Sequence, residues 1–405
     1  MRTFEKSKKL DSVKYEIRGP VAVKANEMEE AGIEILKLNI GNPAPFGFRA
    51  PQRVVDEMKA HLEENEGYSH SKGIPDARQA IYEYAQKKGM PNVHVDEIFT
   101  GNGASELITM SLNALLNPGD EVLVPAPDYP LWTGSVTLSG GTPVHYLCDE
   151  QADWMPDIED MKKKINDNTK AIVVINPNNP TGAIYPDEVL QQIADLAREH
   201  ELILFSDEIY DRIVMDGYEH RSLCTFAPDV FTLTFGGLSK SHMMCGFRIG
   251  WMILCGDRSR VKDYIAGLTL LASMRLCSNV PAQSVVRACL EDKSELEEML
   301  LPGGRIYEQR RACITALEKI PGISVVRPHA AFYCFPKLDV KKFNIHDDTQ
   351  FAIDLLEQNH VLITSGTGFN WPTPDHFRIV MLPDVKTITS AMEGLAEFLD
   401  GYHQE

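Results

Sequence analysis

The feature that most constrains the fold of this chain is a rhythm in its middle part, where short apolar runs alternate with amphipathic patterns. The run 171-AIVVIN-176 is rich in β-branched residues, which is typical of a strand buried on both faces. Pro186 and Asp187 then open a stretch with apolar residues at helical spacing. Strand, helix and strand in this order predict right-handed βαβ units and a largely parallel sheet.

Further runs of the same character extend the predicted sheet. They are 97-EIFT-100, 121-EVLVPAP-127, 202-LILF-205, 230-VFTLTF-235 and 249-IGWMIL-254. Beyond about residue 290 the pattern changes to a long helical region at 292–320, followed by short strands and helices, which indicates a smaller α+β domain. We therefore predict an N-terminal segment at 1–45 that packs with the small domain, a large domain at 46–290 and a small domain at 291–405.

Composition excludes several classes of partner. The formal net charge of −18 argues against binding nucleic acid or an anionic membrane through bulk electrostatics. The eight cysteines form no C-x-x-C pair, and several lie in apolar stretches, which favours reduced cysteines in a cytoplasmic protein. The charged N-terminus lacks the apolar core of a signal peptide, and no apolar run approaches the roughly 20 residues of a membrane helix.

Polar residues follow the predicted strands at the edge where ligands bind in open parallel sheets. The turn 101-GNGASE-106 leads into a helix, whose free N–H groups suit a phosphate. Asn179 follows the strand at 171–176, and Asp207 and Tyr210 follow the strand at 202–205. Each has an ordinary structural alternative: a ligand-free glycine turn, an Asn-rich loop, or an aspartate at a helix N-cap.

One lysine in 232-TLTFGGLSKSHMMCGFRIGWMI-253 needs a separate explanation. Lys240 ends a predicted buried strand, where an ammonium without a partner is costly. Arg248 precedes the next strand, and its structural alternative is a solvated charge. Taken together, the polar groups that follow these strands suit one kind of ligand, a phosphorylated pyridine aldehyde. Lysine forms a Schiff base with a carbonyl, a carboxylate keeps the ring nitrogen protonated so that the ring is an electron sink, and amides, serine and arginine bind phosphate.

These motifs resemble the fold-type I, pyridoxal-phosphate-dependent class I aminotransferases over essentially the whole chain. The resemblance implies an α/β fold, with a mostly parallel seven-stranded sheet flanked by helices in the large domain. Within the family the chain is most similar to the bacterial alanine aminotransferases. The family motifs are 39-NIGNPAPFGF-48, 67-GYSHSKGIPDARQAI-81, 101-GNGASE-106, 125-PAPDYPLW-132, 175-INPNNPTGA-183, 207-DEIYD-211, 238-LSK-240, Arg248 and 376-HFRIV-380. The alanine-type marks are 18-RGPV-21, 145-HYLCDE-150, 302-PGGRIYEQR-310, 343-FNIHDD-348 and 369-FNWPTPDHFRIV-380.

The resemblance assigns roles to individual positions. It implies that Lys240 forms the Schiff base with pyridoxal phosphate and shuttles the substrate proton, that Asp207 pairs with the ring nitrogen, and that Asn179 and Tyr210 bond the 3′-oxygen. Tyr129 is expected to stack on the ring, or otherwise to be a core aromatic. The implied phosphate ligands are Gly103, Ala104, Ser105, Ser239, Arg248 and, from the partner subunit of a homodimer, Tyr68. Arg378 and Gly41, with Asn179, are expected to bind the substrate α-carboxylate.

The implied reaction moves an amino group between L-alanine and 2-oxoglutarate in two half-reactions, with ping-pong kinetics and a place in alanine biosynthesis. Such an enzyme accepts a methyl and a carboxylate side chain in one pocket. If the N-terminal segment folds over the site, Tyr15 closes the pocket around the small substrate and Arg18 binds the longer acid. The alternative, to which we give similar weight, is that Arg18 is a surface charge with no role in substrate binding.

The chain departs from the family pattern after the lysine. Ser241, His242, Met243, Met244 and Cys245 replace the usual aromatic and basic residues, and Gly237 stands where many relatives have a second phosphate serine. A soft wall beside the cofactor explains this run better than a metal or nucleophilic pair of His242 and Cys245, so no metal is expected. Alternative functions are transamination of aspartate, methionine or branched-chain acids, a C–S β-lyase, and a non-enzymatic aminotransferase-like regulator.

Overall fold

The computed structural model describes residues 2–13, 15, 19–291 and 296–405. The N-terminal part contains a short 3₁₀ helix at Lys8–Ser12 and few other regular elements before the main sheet. These are helix α1 (Pro20–Glu30), strand β1 (Leu36–Lys37), helix α2 (Gln52–Ala60) and helix α3 (Pro75–Lys87). Pro20 and Pro75 each occupy the first position of a helix, where the missing N–H costs nothing.

The large domain is built on one sheet that contains eight strands within the described residues. Neighbours run in the order β2-β9-β8-β7-β6-β3-β4-β5, and the block from β4 through β3, β6 and β7 to β8 is parallel. Strand β9 is antiparallel to both β2 and β8, and the two-residue β5 is antiparallel to β4. The mostly parallel sheet is thus confirmed, but the predicted count of seven strands is wrong within the described residues, because the two-residue β5 adds an eighth strand at the edge. Its strands are β2 (Ile98–Gly101), β3 (Glu121–Ala126), β4 (Thr142–Asp149), β5 (Met155–Pro156), β6 (Thr169–Ile175), β7 (Ile203–Asp207), β8 (Thr232–Gly237) and β9 (Gly250–Cys255).

Helices cover both faces of this sheet, which explains the continuous apolar strands. Along β6, Val173 packs into the cluster with α4, α5 and α9, whereas Ile172 and Val174 pack into the opposite cluster with α6 and α7. The helices are α4 (Ala104–Leu115), α5 (Leu131–Leu138), α6 (Ile158–Lys164), α7 (Asp187–Glu199), α8 (Leu238–Ser241), α9 (Lys262–Met274), α10 (Val280–Gln283) and α11 (Val286–Leu290).

The C-terminal part combines helices with short antiparallel strand pairs. The single long helical region predicted at 292–320 is wrong in its described part: two helices flank a turn at 301–304, where Pro302, Gly303 and Gly304 interrupt the helical pattern. The elements are α12 (Leu296–Leu300), α13 (Arg305–Leu317), β10 (Ile323–Ser324), β11 (Tyr333–Cys334), β12 (Lys337–Leu338), α14 (Asp348–Asn359), β13 (Val361–Leu362), β14 (Thr364–Ser365), β15 (Phe377–Val380) and α15 (Val385–Leu399).

The N-terminal segment packs on this C-terminal part. Val21, Ala25 and Met28 of α1 are buried in one apolar cluster with α13, α14 and α15. Strand β1 pairs in parallel with β13. The division of the chain at residues 46 and 291 stays a prediction.

The fold brings the carboxyl ends of β6, β7 and β8 to one edge of the sheet, because these neighbours are parallel. Residues that follow these strands lie side by side at that edge. None of the helices in the described part of the chain has the length and apolar character needed to cross a membrane.

Candidate active site

A cavity of about 200 Å³ lies at this edge of the sheet, where the sheet meets the C-terminal strands β11 and β15. Residues from both parts of the chain line it, so the site exists only in the assembled fold. Of the residues expected to form a site, those that line this cavity are Gly41, Ala104, Ser105, Tyr129, Asn179, Asp207, Tyr210, Ser239, Lys240, Arg248 and Arg378.

Asp207 is a buried carboxylate at the end of β7. The indole Nε1 of Trp132 donates to its Oδ2 at 2.9 Å, and the backbone N–H of Ile209 donates to Oδ1 at 3.3 Å. Burial raises the pKa of Asp207 to about 6, although these hydrogen bonds favour the charged form. A buried carboxylate of this kind is suited to hold a cationic ring N–H, whose charge would bring the pKa back down.

Lys240 occupies the first turn after β8, in the short helix α8. Its Nζ donates to the carbonyl oxygen of Gly41 at 2.7 Å and lies 3.7 Å from Sγ of Cys245. The thiol of Cys245 in turn donates to the carbonyl of Ser239 at 2.9 Å. The lysine amine therefore faces the cavity with polar partners rather than ending a strand in an apolar core.

One end of the cavity is rich in donors for an anion. Helix α4 begins there, and its first N–H groups have no intrahelical partner. Gly103 adopts a φ of +82°, and a Cβ at this position would lie 2.2 Å from Nη2 of Arg248. The glycine thus leaves room for the guanidinium, which donates to the carbonyls of Asn102 and Cys245 at 3.2 and 2.8 Å. Ala104, Ser105 and Ser239 complete this end.

Arg378 of β15 lies buried at the opposite side of the cavity. It donates through Nη1 to Oδ1 of Asn179 at 2.9 Å and through Nη2 to the carbonyl oxygen of Asn39. Its Nε has no hydrogen-bond partner among the described residues. The guanidinium lies 4.5 Å from the ring centres of both Tyr333 and Phe369. Arg378 is only 2% exposed, and this burial lowers its pKa.

Two residues that shape the cavity, Tyr333 and Trp132, have no role predicted from the sequence. Tyr333 forms a hydrogen bond with Tyr210, hydroxyl to hydroxyl, at 2.6 Å. Trp132 holds Asp207. Tyr333 and Trp132 are tyrosine and tryptophan within apolar stretches, where their polar atoms need partners, and that is the signal in the sequence that could have drawn attention to them.

The remaining predicted residues lie at the margin or outside the described structure. The hydroxyl of Tyr15 lies 3.4 Å from that of Tyr129, which lines the cavity. Tyr68 is 84% exposed and does not line the cavity of its own subunit. Arg18 lies outside the described residues.

The run after Lys240 separates into residues with different surroundings. The ring of His242 is buried, with Nδ1 2.8 Å from the hydroxyl of Ser241 and Nε2 2.8 Å from the carbonyl of Cys289. Cys245 instead faces Lys240. Within the described residues, no group of three or more His, Cys, Asp or Glu side chains is placed to hold a metal ion.

The cavity is cationic although the whole chain is acidic. Lys240, Arg248 and Arg378 contribute three positive groups, against one carboxyl from Asp207. A cation-rich cavity in a chain with a formal net charge of −18 is suited to a small anion. The arrangement combines a reactive amine, a buried carboxylate, an anion-binding helix start and a buried arginine fork.

Comparison with known proteins identifies the class. Residues 33–395 match the family model described as aminotransferase class I and II, and the chain belongs to this family. The resemblance drawn from the sequence motifs is thereby confirmed, and the protein is a transaminase.

Within the family, the chain is 54% identical to the glutamate–pyruvate aminotransferase AlaA of Escherichia coli, and the match covers 100% of both chains. It is 52% identical to an alanine aminotransferase of Mycobacterium tuberculosis, over 100% of this chain and 94% of the relative. The crystal structure of an aminotransferase from Escherichia coli superposes with a TM-score of 0.99 at 53% identity and covers 100% of both chains. An alanine aminotransferase from Pyrococcus furiosus gives a TM-score of 0.93 at 38% identity, covering 98% of this chain and 100% of that chain.

Proposed function

We propose that this aminotransferase uses pyridoxal phosphate to move an amino group between L-alanine and 2-oxoglutarate. The observation that carries the proposal is the meeting of Lys240, Asp207 and Arg378 around one cavity. The choice of alanine and 2-oxoglutarate is supported by the names of the relatives reported above, glutamate–pyruvate and alanine aminotransferases.

The residues around the cavity fit pyridoxal phosphate. Asp207 offers a buried carboxylate to the ring nitrogen, and the α4 start with Ser105, Ser239 and Arg248 offers donors to the phosphate. The space that Gly103 leaves beside Arg248 would be filled by any side chain at that position. Tyr129 covers one side of the cavity, and Asn179 and Tyr210 are the expected partners of the 3′-oxygen. When bound, the cofactor supplies a carbonyl that takes up an amine and a ring that accepts electrons.

The substrate side is organised by Arg378 and Lys240. The Arg378 fork binds the α-carboxylate of the amino acid, with the backbone at Gly41 beside it. Asn179 already holds one guanidinium nitrogen and so fixes the direction of the fork. The amine of Lys240 removes the proton from the α-carbon of the amino acid in one half-reaction. It delivers a proton to the α-carbon of the second substrate in the other half-reaction. One amino acid leaves as a 2-oxo acid before the second 2-oxo acid enters, which predicts ping-pong kinetics.

The N-terminal segment sets substrate size in this proposal. Tyr15 reaches the hydroxyl of Tyr129 and closes the entrance over a substrate as small as alanine. Arg18, three residues further along the chain, is assigned to the side-chain carboxylate of glutamate and 2-oxoglutarate. Arg18→Ala is expected to reduce activity with glutamate far more than with alanine.

We further propose a cytoplasmic homodimer with shared sites. All eight cysteines are described and are free thiols, as a reducing compartment would keep them. Tyr68, exposed in the single chain, is assigned to the cofactor phosphate of the partner subunit.

The deciding experiment follows the visible absorbance of the purified protein loaded with pyridoxal phosphate. L-alanine alone is expected to bleach the absorbance with release of pyruvate, and 2-oxoglutarate to restore it with formation of glutamate. Lys240→Ala is expected to abolish steady-state turnover and leave the circular dichroism spectrum unchanged. Near-normal turnover of that variant would refute the assignment. Release of ammonia and pyruvate from cystathionine without a 2-oxo acid would indicate a C–S lyase instead.

A further inference from the structure

Tyr333 connects the two sides of the cavity, and the proposed function gives it no role. It lies on β11 in the small domain and is only 2% exposed. Its hydroxyl oxygen lies 2.6 Å from that of Tyr210, which follows β7 in the large domain. Its ring lies 4.5 Å below the guanidinium of Arg378. One side chain therefore contacts both the tyrosine expected at the cofactor and the arginine expected at the substrate.

The hydroxyl of Tyr333 has a fixed position. A Cβ built on Gly41 would lie 2.1 Å from this oxygen, so the hydroxyl occupies the space that glycine leaves. The carbonyl of the same glycine accepts the hydrogen bond from Lys240 at 2.7 Å. The hydroxyl is thus packed against the backbone that also positions the reactive amine.

The hydrogen bond between Tyr210 and Tyr333 has a direction that matters for chemistry. Each hydroxyl carries one proton, so only one of the two donates to the other. If Tyr210 donates, its proton is used within the pair; if Tyr333 donates, the proton of Tyr210 is free to point into the cavity. The guanidinium of Arg378 lies over the Tyr333 ring and draws electron density from it, which favours Tyr333 as the donor.

We propose that Tyr333 is a positioning residue that donates to Tyr210 and thereby directs the Tyr210 proton toward the 3′-oxygen of the cofactor. This inference rests on the proposed function, since it assumes that pyridoxal phosphate occupies the cavity. A hydrogen-bond donor at the 3′-oxygen stabilises negative charge on that oxygen. This stabilisation is largest after the chromophore has lost its proton, because no neighbouring positive charge on the chromophore then offsets the negative charge. The donor consequently lowers the pKa of the bound chromophore, and losing its orientation raises that pKa.

The test is a pH titration of the visible absorbance of the loaded protein, without substrate. Tyr333→Phe is expected to raise the titration midpoint by about 0.5 to 1 pH unit, the size of one neutral hydrogen bond. Tyr210→Phe removes the donor itself and is expected to raise the midpoint further. In the Tyr210→Phe background, Tyr333→Phe is expected to add no further shift, because its effect passes through Tyr210.

Kinetics supply a second measurement. Tyr333→Phe keeps the ring beneath Arg378, so we expect kcat to fall while the KM for alanine stays close to that of the wild type. A rise in KM alone would place the hydroxyl in carboxylate binding and overturn the proposal.

The matched control is Tyr264→Phe. Tyr264 is also buried and donates to the carbonyl of Ser111 at 2.9 Å, but it does not line the cavity. Tyr264→Phe is expected to leave the midpoint of the absorbance titration unchanged. The inference would be overturned if Tyr333→Phe left the midpoint unchanged, or if it shifted the midpoint equally in the wild type and in Tyr210→Phe. Either result would leave the proposed function intact. Absence of any visible absorbance in the loaded wild type would instead overturn the proposed function.

Discussion

At the scale of single residues, burial decides how the carboxyl groups near the site behave. Asp207 and Asp128 are both almost fully buried, and burial raises the pKa of the first to about 6 and of the second to about 7. Asp207 lines the cavity, where a bound cationic group would lower its pKa. Asp128 does not line the cavity and bonds instead to the hydroxyl of Thr133 and the side-chain amide of Asn370, at 2.6 and 2.8 Å.

Asp128 is expected to make stability depend on pH. Its pKa in the folded chain, about 7, lies above the ordinary value for aspartate, so the folded state keeps a proton that the unfolded state has lost. The stabilisation is fully present below about pH 4 and is lost as pH rises through 7. We expect the free energy of unfolding of the wild type, relative to Asp128→Asn, to fall by about 2 to 4 kcal/mol between pH 4 and 8. Urea unfolding at several pH values measures this difference.

The control for this titration is Asp167→Asn, at an exposed aspartate. Its stability relative to the wild type is expected to stay constant over the same range. A constant difference for Asp128→Asn as well would contradict the prediction.

At the scale of elements, the starts and ends of helices and strands carry the site. The turn before α4 illustrates this, because Gly103 must adopt a positive φ and must also admit the guanidinium of Arg248. Strands β7 and β8 end beside each other and place Asp207 and Lys240 at one edge. These positions depend on where the elements begin and end.

Gly103→Ala tests the start of α4. The added methyl would collide with Arg248, so we expect affinity for pyridoxal phosphate to fall at least tenfold, the equivalent of about 1.4 kcal/mol. Equilibrium titration of the cofactor-free protein measures the affinity. Gly119→Ala is the matched variant: its φ is also positive, at +99°, but a Cβ there meets no atom within 4 Å. Equal losses in the two variants would show that backbone strain, and not the guanidinium contact, is responsible.

The C-terminal end of α3 supports the segment after β7 from behind. Nζ of Lys88 lies 2.7 Å from Oδ2 of Asp211 and 3.4 Å from Oε2 of Glu208, and all three side chains are largely buried. Glu208 and Asp211 are sequence neighbours of Asp207 and Tyr210, which line the cavity, so this ion cluster anchors the segment that carries them.

Lys88→Met is expected to destabilise the fold by about 3 to 5 kcal/mol, because it leaves buried carboxylates without their cation. Chemical denaturation measures the loss. The neighbouring Lys87 is exposed, and Lys87→Met is expected to change stability by less than about 0.5 kcal/mol. Similar stabilities for the two variants would refute the role of the cluster.

At the scale of the whole molecule, the cavity joins parts that are far apart in the chain. Arg378 on β15 bonds Asn179, which follows β6, and Tyr333 on β11 bonds Tyr210, which follows β7. Lys240 bonds the backbone of Gly41, which is 199 positions earlier in the chain. A change in the packing of the domains therefore changes the distances within the site.

The proposed homodimer makes a prediction at this scale. Tyr68→Ala should weaken cofactor binding about 10- to 100-fold, as expected for one charge-assisted hydrogen bond to phosphate. Lys240→Ala should be inactive. When the two variants are unfolded and refolded together, each hybrid dimer has one site with both native residues. At limiting cofactor, activity above that of either parent is expected, measured as pyruvate formed from alanine. No gain after verified hybrid formation would exclude a shared site.

Much of this architecture could be predicted from the sequence. The β-branched runs, the helix opened by Pro186 and Asp187 and the helix that follows the turn at 101–106 are local signals, and the structure places strands and helices there. The strand ends identified Asp207, Asn179 and Lys240 as neighbours, because parallel strands end at the same edge. The antiparallel direction of β9 was not predicted, since an apolar run has the same pattern in either direction.

The sequence by itself determined the class of fold, the order of its elements and the polar groups at the sheet edge, because these depend on periodicity and on residues close in the chain. Only the tertiary structure decided which groups from the small domain complete the cavity. Tyr333 stands in an apolar run like many core tyrosines, and its link to Tyr210, 123 positions away, depends on how the domains pack. The same holds for the burial that raises the pKa of Asp207 and Asp128, because desolvation is a property of everything packed around a group.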